Sequence, residues 1–465
     1  MSPHHTTRFW ALLALSIPLS APVAMASGLE DLLNSLEADS LERLDGGDAK
    51  TNVSEADDGE ADAAEVVEAP PLTPPPALAP MGLPMQQTKT VCPALQKQII
   101  TALGGEKNAW SITVINSQGY VMADVNGSSS RIPASNQKLV STAIAIDRLG
   151  PDHRIRTELW QLPDGTLRLQ GGGDPTLGFS GLRRFAKLAA GSGGSSGSGR
   201  SSTVKLQLEE EPAASWWPQG WSVPDRQYAY GAPITRLALT SNALDMSIRN
   251  PPQRMQRLLS REISRNGRKV QLSTIPAGTP EPAGSVLLFT EASKSMHHLM
   301  SLANGESHNF TAEVLLREGT GSWKLPEAQG RALSWLRQQG LPTAGVRVAD
   351  GSGLDRANRL TSRTLTALLL RMAQHPYAKN YYASMAVAGE RGTLRYYFPG
   401  SRLKGRFAGK TGTIRGVKAV SGRLQTPQGP LYVSMIANGS YGPVAKMRRV
   451  LESSDKLSAC RPQPL

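Results

Sequence analysis

The chain has 465 residues, two cysteines and a formal net charge of +13. This length allows two or three domains, and the long separation of Cys92 and Cys460 does not fit the ligand spacing of a zinc site. The charge is uneven, because residues 28–88 carry −12 and residues 89–465 carry +24. A body this basic favours an anionic partner, such as a nucleic acid, a lipid surface or an acidic polymer, although charge that only aids solubility explains it equally well.

Residues 1–26 have the pattern of a secretory signal peptide. Arg8 supplies a positive start, residues 9–19 are apolar, and Ala24-Met25-Ala26 is a small-x-small cleavage pattern. The apolar run is short for a membrane span, so we expect an exported protein of the periplasm or cell envelope, with no stable membrane span after cleavage. An uncleaved anchor is the alternative. Export argues against nucleic acid as the partner and permits a disulfide.

Residues 27–88 are predicted to be a disordered segment. They are acidic and rich in proline and alanine, and such a composition buries too little apolar surface to fold. We interpret the segment as a tether or spacer ahead of the folded body.

The folded body is predicted to be one domain whose two parts flank an insert. Its first part, residues 89–154, contains a helix, a two-stranded hairpin and the start of a buried helix. Residues 155–284 form a β-rich accessory insert, with a Gly/Ser linker at 191–202. Helical periodicity returns in the second part, residues 285–465. The predicted strands of the insert are 157–162, 167–170, 237–239, 244–248 and 270–274.

The stretch Ser135-Asn136-Gln137-Lys138 is the first candidate for catalytic chemistry. Ser135 and Lys138 lie three positions apart at the start of the buried helix, so they share one helical face. A serine hydroxyl needs a neighbour that removes its proton, and a desolvated lysine whose pKa has fallen can act as that base. The spacing alone is a weak indication, because Ser453 and Lys456 repeat it in a predicted surface helix.

Two later motifs complete a known order. Ser307-His308-Asn309 lies on a predicted loop between helices, and Lys410-Thr411-Gly412 lies on an edge-like strand. Serine DD-peptidases and β-lactamases use Ser-x-x-Lys, Ser-x-Asn and Lys-Thr-Gly in this order and in these contexts. Over residues 90–460 the sequence resembles the low-molecular-mass class C penicillin-binding proteins, the D-alanyl-D-alanine carboxypeptidase/endopeptidase family. Further matching stretches lie at 171–177, 350–354 and 387–394.

The resemblance implies an α/β (α+β) serine DD-peptidase/β-lactamase-like domain, with an antiparallel sheet flanked by helices and a β-rich accessory insert between the first two motifs. The insert is short for the family, which suggests that one accessory domain is reduced. Family members pack their first and last helices together on one sheet, so the resemblance also implies a disulfide between Cys92 and Cys460. Two free thiols are the alternative.

The resemblance also implies the catalytic roles. Ser135 attacks the carbonyl between two D-alanines and becomes acylated, with Lys138 as its base. Ser307 relays a proton to the leaving amine, and Asn309 binds the substrate amide and helps to hold Lys138. Lys410 adds a positive charge that favours a neutral Lys138 and attracts the terminal carboxylate.

The remaining expected site residues bind substrate. Thr411, Gly412 and Thr413 form the carboxylate-binding strand, and the backbone N–H groups of Ser135 and Thr413 form the oxyanion hole. His308 is expected to face outward. No metal-ligand cluster is apparent, so we expect no metal and no cofactor.

The expected partners are peptidoglycan stem peptides, with β-lactam antibiotics as inhibitors. A catalytically silent peptidoglycan-binding protein and a β-lactamase remain the alternatives. The intact motifs argue against the first and the long insert against the second. The insert also holds an aromatic group, for which we favour core packing over stacking on sugars; its members are Trp216, Trp217, Trp221, Tyr228 and Tyr230.

Overall fold

The structure, a computed structural model, describes residues 90–192 and 203–464. The predicted signal peptide, the acidic segment and most of the Gly/Ser linker lie outside the described residues. The thirteen strands found among the described residues are β1 Thr90–Val91, β2 Trp110–Asn116, β3 Val121–Val125, β4 Arg156–Gln161, β5 Leu167–Gly171, β6 Val204–Glu210, β7 Val270–Pro276, β8 Val286–Ala292, β9 Ala386–Val387, β10 Phe407–Ile414, β11 Val417–Thr426, β12 Gly429–Asn438 and β13 Gln463–Pro464.

The α-helices lie between these strands along the chain. In the described part of the chain they are α1 Pro93–Leu103, α2 Lys138–Leu149, α3 Phe179–Gly191, α4 Pro251–Arg265, α5 Met296–Asn304, α6 Asn309–Thr320, α7 Leu325–Gln338, α8 Ser362–Ala373, α9 Ala378–Ala383 and α10 Pro443–Lys456. None of the helices within residues 90–192 and 203–464 is both long enough and apolar enough to cross a membrane.

A six-stranded antiparallel sheet forms the centre of the domain, in the order β3-β2-β12-β11-β10-β9. Strand β2 is buried at six consecutive positions. Such continuous burial is expected where both faces of a sheet are covered. Helices α1 and α10 pack together on one face, and α8 packs on the other. The predicted antiparallel sheet flanked by helices is therefore confirmed.

Helix α2 is enclosed over most of its length. Every residue from Lys138 to Ile146 is buried, and the helix packs against α5, α6 and α7. A helix that is enclosed on all sides withdraws its polar residues from water as well as its apolar ones. This packing is what desolvates Lys138.

The insert is a mixed sheet in the order β7-β6-β5-β4-β8, together with α3 and α4. Two of its expected strands, at 237–239 and 244–248, are irregular instead: a 3-10 turn begins at Leu239, and Met246 and Ser247 form only isolated bridges. Helix α4 was missed because it begins with two prolines. Proline is favourable in the first turn, and the Asn250 side chain caps the helix by accepting from the N–H of Gln253 at 3.2 Å. Strand β8 pairs with β4, so the insert extends to Ala292 and does not end at residue 284.

The two cysteines lie at the ends of the packed helix pair. Cys92 immediately precedes α1, and Cys460 follows α10; they form a disulfide with a Cα–Cα distance of 5.9 Å. The bond closes a loop with a sequence separation of 368 residues. It therefore ties both ends of the described chain to the same helix layer.

We predict that the Cys92→Ser/Cys460→Ser double variant has a lower Tm than the oxidised wild type. Closing so long a loop restricts the unfolded chain and contributes up to about 4–5 kcal/mol to the free energy of unfolding. The measurement is a thermal melt with and without reductant. Reductant should lower the wild-type Tm and leave the Tm of the double variant unchanged. Equal melts for oxidised wild type and double variant would show that the bond does not stabilise the fold.

Candidate active site

The nucleophile candidate lies on a strained turn. Ser135 is half-buried in a single 3-10 turn, Ala134–Gln137, which continues directly into α2. Ala134 has a φ of 47°, a left-handed conformation that is unfavourable for a residue with a Cβ. Gly353 packs against this turn, and a Cβ on Gly353 would lie 1.9 Å from the carbonyl oxygen of Ala134. Only glycine fits there, which explains the glycine of the 350–354 stretch.

Lys138 directs its amine at three oxygen atoms. Its Nζ lies 3.0 Å from Ser135 Oγ, 2.6 Å from Asn309 Oδ1 and 2.7 Å from the carbonyl oxygen of Ser352. The Asn309 amide is oriented by its Nδ2, which donates to the carbonyl oxygen of Tyr230 at 2.8 Å. Both Asn309 Oδ1 and the Ser352 carbonyl can only accept, so the amine must donate to each. In a neutral amine, the lone pair then remains for the Ser135 hydroxyl.

The surroundings of Lys138 favour that neutral form. The side chain is fully buried. Burial lowers the pKa of Lys138 from its usual value to about 7, against the opposing pull of the Asp350 and Glu313 carboxylates. An amine with this pKa is partly deprotonated at neutral pH and can accept the proton of a serine.

Two buried acids hold the loop that supplies the Ser352 carbonyl. Glu313 Oε1 accepts from the N–H groups of Gly351 and Ser352, each at 2.8 Å. Asp350 accepts from the N–H of Gly353 at 2.6 Å. The sequence of the 350–354 stretch indicates a family match but does not predict its contact with Lys138. A backbone carbonyl acts here, and no side-chain type signals its role.

The second and third motifs meet beside this amine. Lys410 Nζ donates to Ser307 Oγ at 2.9 Å and to the carbonyl oxygen of Thr411 at 2.8 Å. Ser307 has a φ of 65°, so this motif too is held in a left-handed conformation. Strand β9 pairs only with Ala408 and Gly409, which leaves the Lys-Thr-Gly stretch beyond it as the expected edge.

The two lysines are close enough to affect each other's protonation. Burial and the charge of Lys138 lower the pKa of Lys410 well below its usual value, and Glu306 opposes the shift. Repulsion between like charges is reciprocal, so a protonated Lys410 also disfavours the protonated form of Lys138, whose pKa is lowered first by burial. Lys410 is also fully buried beneath Ser307 and does not face the cleft directly.

The other residues of the third motif are placed as follows. A Cβ on Gly412 would lie 2.8 Å from the Pro133 carbonyl oxygen and 3.1 Å from the Ser135 nitrogen, so the strand runs directly against the nucleophile turn. Thr413 is exposed, and its Oγ1 accepts from Lys418 Nζ at 2.9 Å. The Thr411 hydroxyl is turned toward Thr393 Oγ1, at 2.8 Å. Its contact with a substrate carboxylate stays a prediction.

A cavity of about 790 Å³ opens over Ser135. Residues of the first two motifs and Thr413, next to the third, line the cavity together with residues of the insert and of the segments at 354–356 and 414–415. The lining residues are Ser135, Ser222, Asp225, Tyr230, Ser307, Asn309, Leu354, Arg356, Thr413, Ile414 and Arg415. No group of three or more His, Cys, Asp or Glu within the described ranges is arranged to hold a metal ion.

Two expectations about individual side chains need correction. His308 does not face outward: it is half-buried, its Nδ1 lies 2.7 Å from Thr311 Oγ1, and burial together with Lys138 lowers its pKa to about 4. Core packing holds for Trp221, which is 2% exposed. It does not hold for Tyr230, which is 46% exposed, stacks on Tyr228 and lines the cavity.

Comparison with known proteins assigns the family. The sequence profile of the D-Ala-D-Ala carboxypeptidase 3 (S13) family matches residues 94–252 and 240–455. The chain belongs to this family. It is accordingly a serine-type D-Ala-D-Ala carboxypeptidase, a hydrolase, and a class C penicillin-binding protein by resemblance.

Relatives and solved structures agree with the assignment. The carboxypeptidase is 26% identical over 428 residues to a D-alanyl-D-alanine carboxypeptidase of Actinomadura sp. (strain R39). The alignment covers 71% of this chain and 78% of that protein. It is 26% identical over 419 residues to carboxypeptidase DacB of Mycolicibacterium smegmatis, covering 83% and 88%. The crystal structure of penicillin binding protein 4 (dacB) from Haemophilus influenzae matches with a TM-score of 0.64 at 18% identity, over 77% of this chain and 97% of that one, and supports the fold.

We predict that the pH–rate profile for acylation of the carboxypeptidase by penicillin has an acidic limb governed by Lys138. The reactive form is the neutral amine, whose fraction rises with pH through a pKa of about 7. The acylation rate constant should therefore rise about tenfold per pH unit below that value and level off above it. His308→Asn is the matched control, because His308 has already lost its proton in this range and the limb should stay in place. A limb near the ordinary lysine pKa would contradict the assignment.

We predict that Lys410→Ala lowers the acylation rate constant by about a hundredfold or more, because Ser307 loses the cation that orients it. Lys410→Arg keeps the charge with a different shape and should lose less. Lys456→Ala, at the exposed repeat of the Ser-x-x-Lys spacing, is the control and should acylate normally. The measurement is the acylation rate beside a thermal melt. Wild-type acylation by a folded Lys410→Ala protein would remove Lys410 from the site.

Proposed function

We propose that the carboxypeptidase cleaves the bond between the terminal D-alanines of peptidoglycan stem peptides through an acyl-enzyme on Ser135. One observation carries the proposal: the Lys138 amine is held 3.0 Å from Ser135 Oγ by two acceptors that fix its donor hydrogens elsewhere. This geometry is suited to removal of the serine proton.

In the first half-reaction, the Ser135 proton moves to Lys138 Nζ as Oγ bonds to the substrate carbonyl carbon. The backbone N–H groups of Ser135 and Thr413 would stabilise the oxyanion, and each such donor is worth about 10²–10³ in rate. The C–N bond then breaks, and the proton taken up by Lys138 is relayed through the Ser307 hydroxyl, backed by Lys410, to the leaving D-alanine amine, so that Lys138 and Ser307 return to their starting forms. In the second half-reaction, water attacks the ester carbonyl carbon and gives a proton to Lys138. That proton passes to Ser135 Oγ as the C–O bond breaks, which releases the shortened peptide and free Ser135.

The cavity walls support a charged peptide as the substrate. The Asp225 carboxylate is fixed by Ser222 Oγ at 2.6 Å and by the Tyr230 hydroxyl at 2.9 Å. Arg356 and Arg415 also line the cavity. An acceptor for an ammonium and donors for a carboxylate thus lie within one cleft, above the motifs that bind the D-alanyl terminus.

A β-lactam offers the same reactive carbonyl, so we propose that β-lactams inhibit by acylating Ser135. The connected Ser135, Lys138 and Asn309 argue against a silent peptidoglycan-binding protein. The sheet-containing insert that reaches the cleft argues against a β-lactamase. We further propose an exported enzyme of the cell envelope, and a DD-endopeptidase activity on cross-linked stem peptides is the finer alternative for the same acyl-enzyme.

We predict a long-lived 1:1 adduct after treatment with penicillin, because the leaving amine of a β-lactam stays attached to the acyl group and blocks the deacylating water. Intact-mass analysis should show one added penicillin, and peptide mapping should place it on Ser135. Ser135→Ala should show no adduct and no release of D-alanine from a D-alanyl-D-alanine peptide. An adduct elsewhere, or none, would refute the proposal, and rapid turnover of penicillin would indicate a β-lactamase.

A further inference from the structure

The insert reaches the acceptors that hold Lys138, although it carries none of the three motifs. Asn309 Nδ2 donates to the backbone carbonyl of Tyr230, an insert residue, at 2.8 Å. That bond orients the amide whose Oδ1 accepts from Lys138. The first acceptor of the amine therefore depends on the insert.

The second acceptor depends on the insert through Trp221. The indole Nε1 donates to Asp350 Oδ2 at 2.8 Å, and both side chains are buried, with exposures of 2% and 0%. The backbone of the neighbouring Gly220 hydrogen-bonds the Asp355 carboxylate. These two contacts fasten the insert to both ends of the 350–355 loop.

Asp350 is the centre of that loop. Its carboxylate also accepts from the N–H groups of Gly353 at 2.6 Å and Asp355 at 2.7 Å. Asn358 Nδ2 donates to it at 2.7 Å, and the Ser352 hydroxyl lies at 3.1 Å. The same loop presents the Ser352 carbonyl to Lys138 Nζ at 2.7 Å. Buried hydrogen bonds thus connect the Trp221 indole to the Lys138 amine through Asp350 and Ser352.

We infer that Trp221 is a positioning residue for the acylation step: it fixes Asp350, and through the 350–355 loop it fixes the Ser352 carbonyl that orients the Lys138 amine toward Ser135. This inference rests on the proposed function, in which Lys138 is the base. The insert thereby contributes to the position of the base, together with Glu313, Ser141 and Asn358, which hold the same loop from the rest of the domain. A small displacement of a base from its productive geometry lowers the rate steeply.

Because of the charged groups around Lys138, loss of the Trp221 hydrogen bond should change the pKa of Lys138 in a measurable direction. The Asp350 and Glu313 carboxylates face the amine and raise its pKa, while His308 and Lys410 lie on its other sides. Removal of the indole N–H leaves the Asp350 charge less compensated, so the pKa of Lys138 should rise. The other three groups keep their contacts in such a variant. The acidic limb of the pH–rate profile for acylation should therefore move to higher pH.

The test is Trp221→Phe, with Trp216→Phe as the matched control. The Trp216 indole donates to the Glu211 carbonyl oxygen at 2.9 Å, within the insert, and does not support the 350–355 loop. The acylation rate constant at saturating penicillin is measured across the pH range of the limb. We expect Trp221→Phe to lose about tenfold or more at neutral pH, with the limb shifted upward and penicillin affinity little changed. Trp216→Phe should match wild type in both.

Two results would overturn the inference. One is a Trp221→Phe protein with the wild-type rate and limb; the other is a reduced rate with the limb unmoved, which shows only a packing role. If the Phe variant does not fold, the benzothiophene analogue of tryptophan at position 221 keeps the shape without the N–H and must show the same shift. Failure of the wild type to acylate at Ser135 would instead refute the proposed function. This outcome is distinguishable from a failure of the role assigned to Trp221.

Discussion

The burial of one amine is the constraint on which the rest of the site depends. An ammonium taken out of water without compensation is very unfavourable, and the usual response is loss of its proton. Lys138 lies in a helix that is enclosed for nine residues, from Lys138 to Ile146, and its side chain is fully buried. The enclosure that stabilises the fold is therefore also what prepares the base.

Burial alone does not make an amine a useful base, because its lone pair must point at the nucleophile. Asn309 and the Ser352 carbonyl solve this by accepting hydrogen bonds and offering none in return. Each acceptor comes from a separate segment, and each segment is held in turn by buried polar groups. The unfavourable backbone conformations of Ala134 and Ser307 lie at the same place, where close packing of several segments can maintain them.

Much of this arrangement could be predicted from the sequence, because side-chain identity and spacing carry it. The Ser135–Lys138 spacing, the loop at Ser307 and the strand at Lys410 were each placed on the element that the structure shows. The helix, the two-stranded hairpin and the buried helix expected in residues 89–154 are likewise observed, as α1, β2 with β3, and α2.

What could not be predicted acts through the backbone or over long range. The Ser352 and Tyr230 carbonyls have no side-chain signature, and the contact of Trp221 with Asp350 joins residues 129 positions apart. The outward orientation assigned to His308 was wrong, because tertiary packing at the start of α6 turned the ring inward. Helix α4 was not predicted because it begins with two prolines, which a helix tolerates in its first turn.

Neutron diffraction of the deuterium-exchanged protein locates the hydrogens around Lys138 Nζ, so it tests directly whether this amine is neutral and oriented as the base. At about pH 8, an amine with the lowered pKa is mostly neutral, so we expect two deuterons on Nζ. They should point at Asn309 Oδ1 and the Ser352 carbonyl, with the Ser135 deuteron directed at Nζ. Three deuterons on Nζ, one of them pointing at Ser135 Oγ, would show an ammonium and contradict the role of Lys138 as the neutral base.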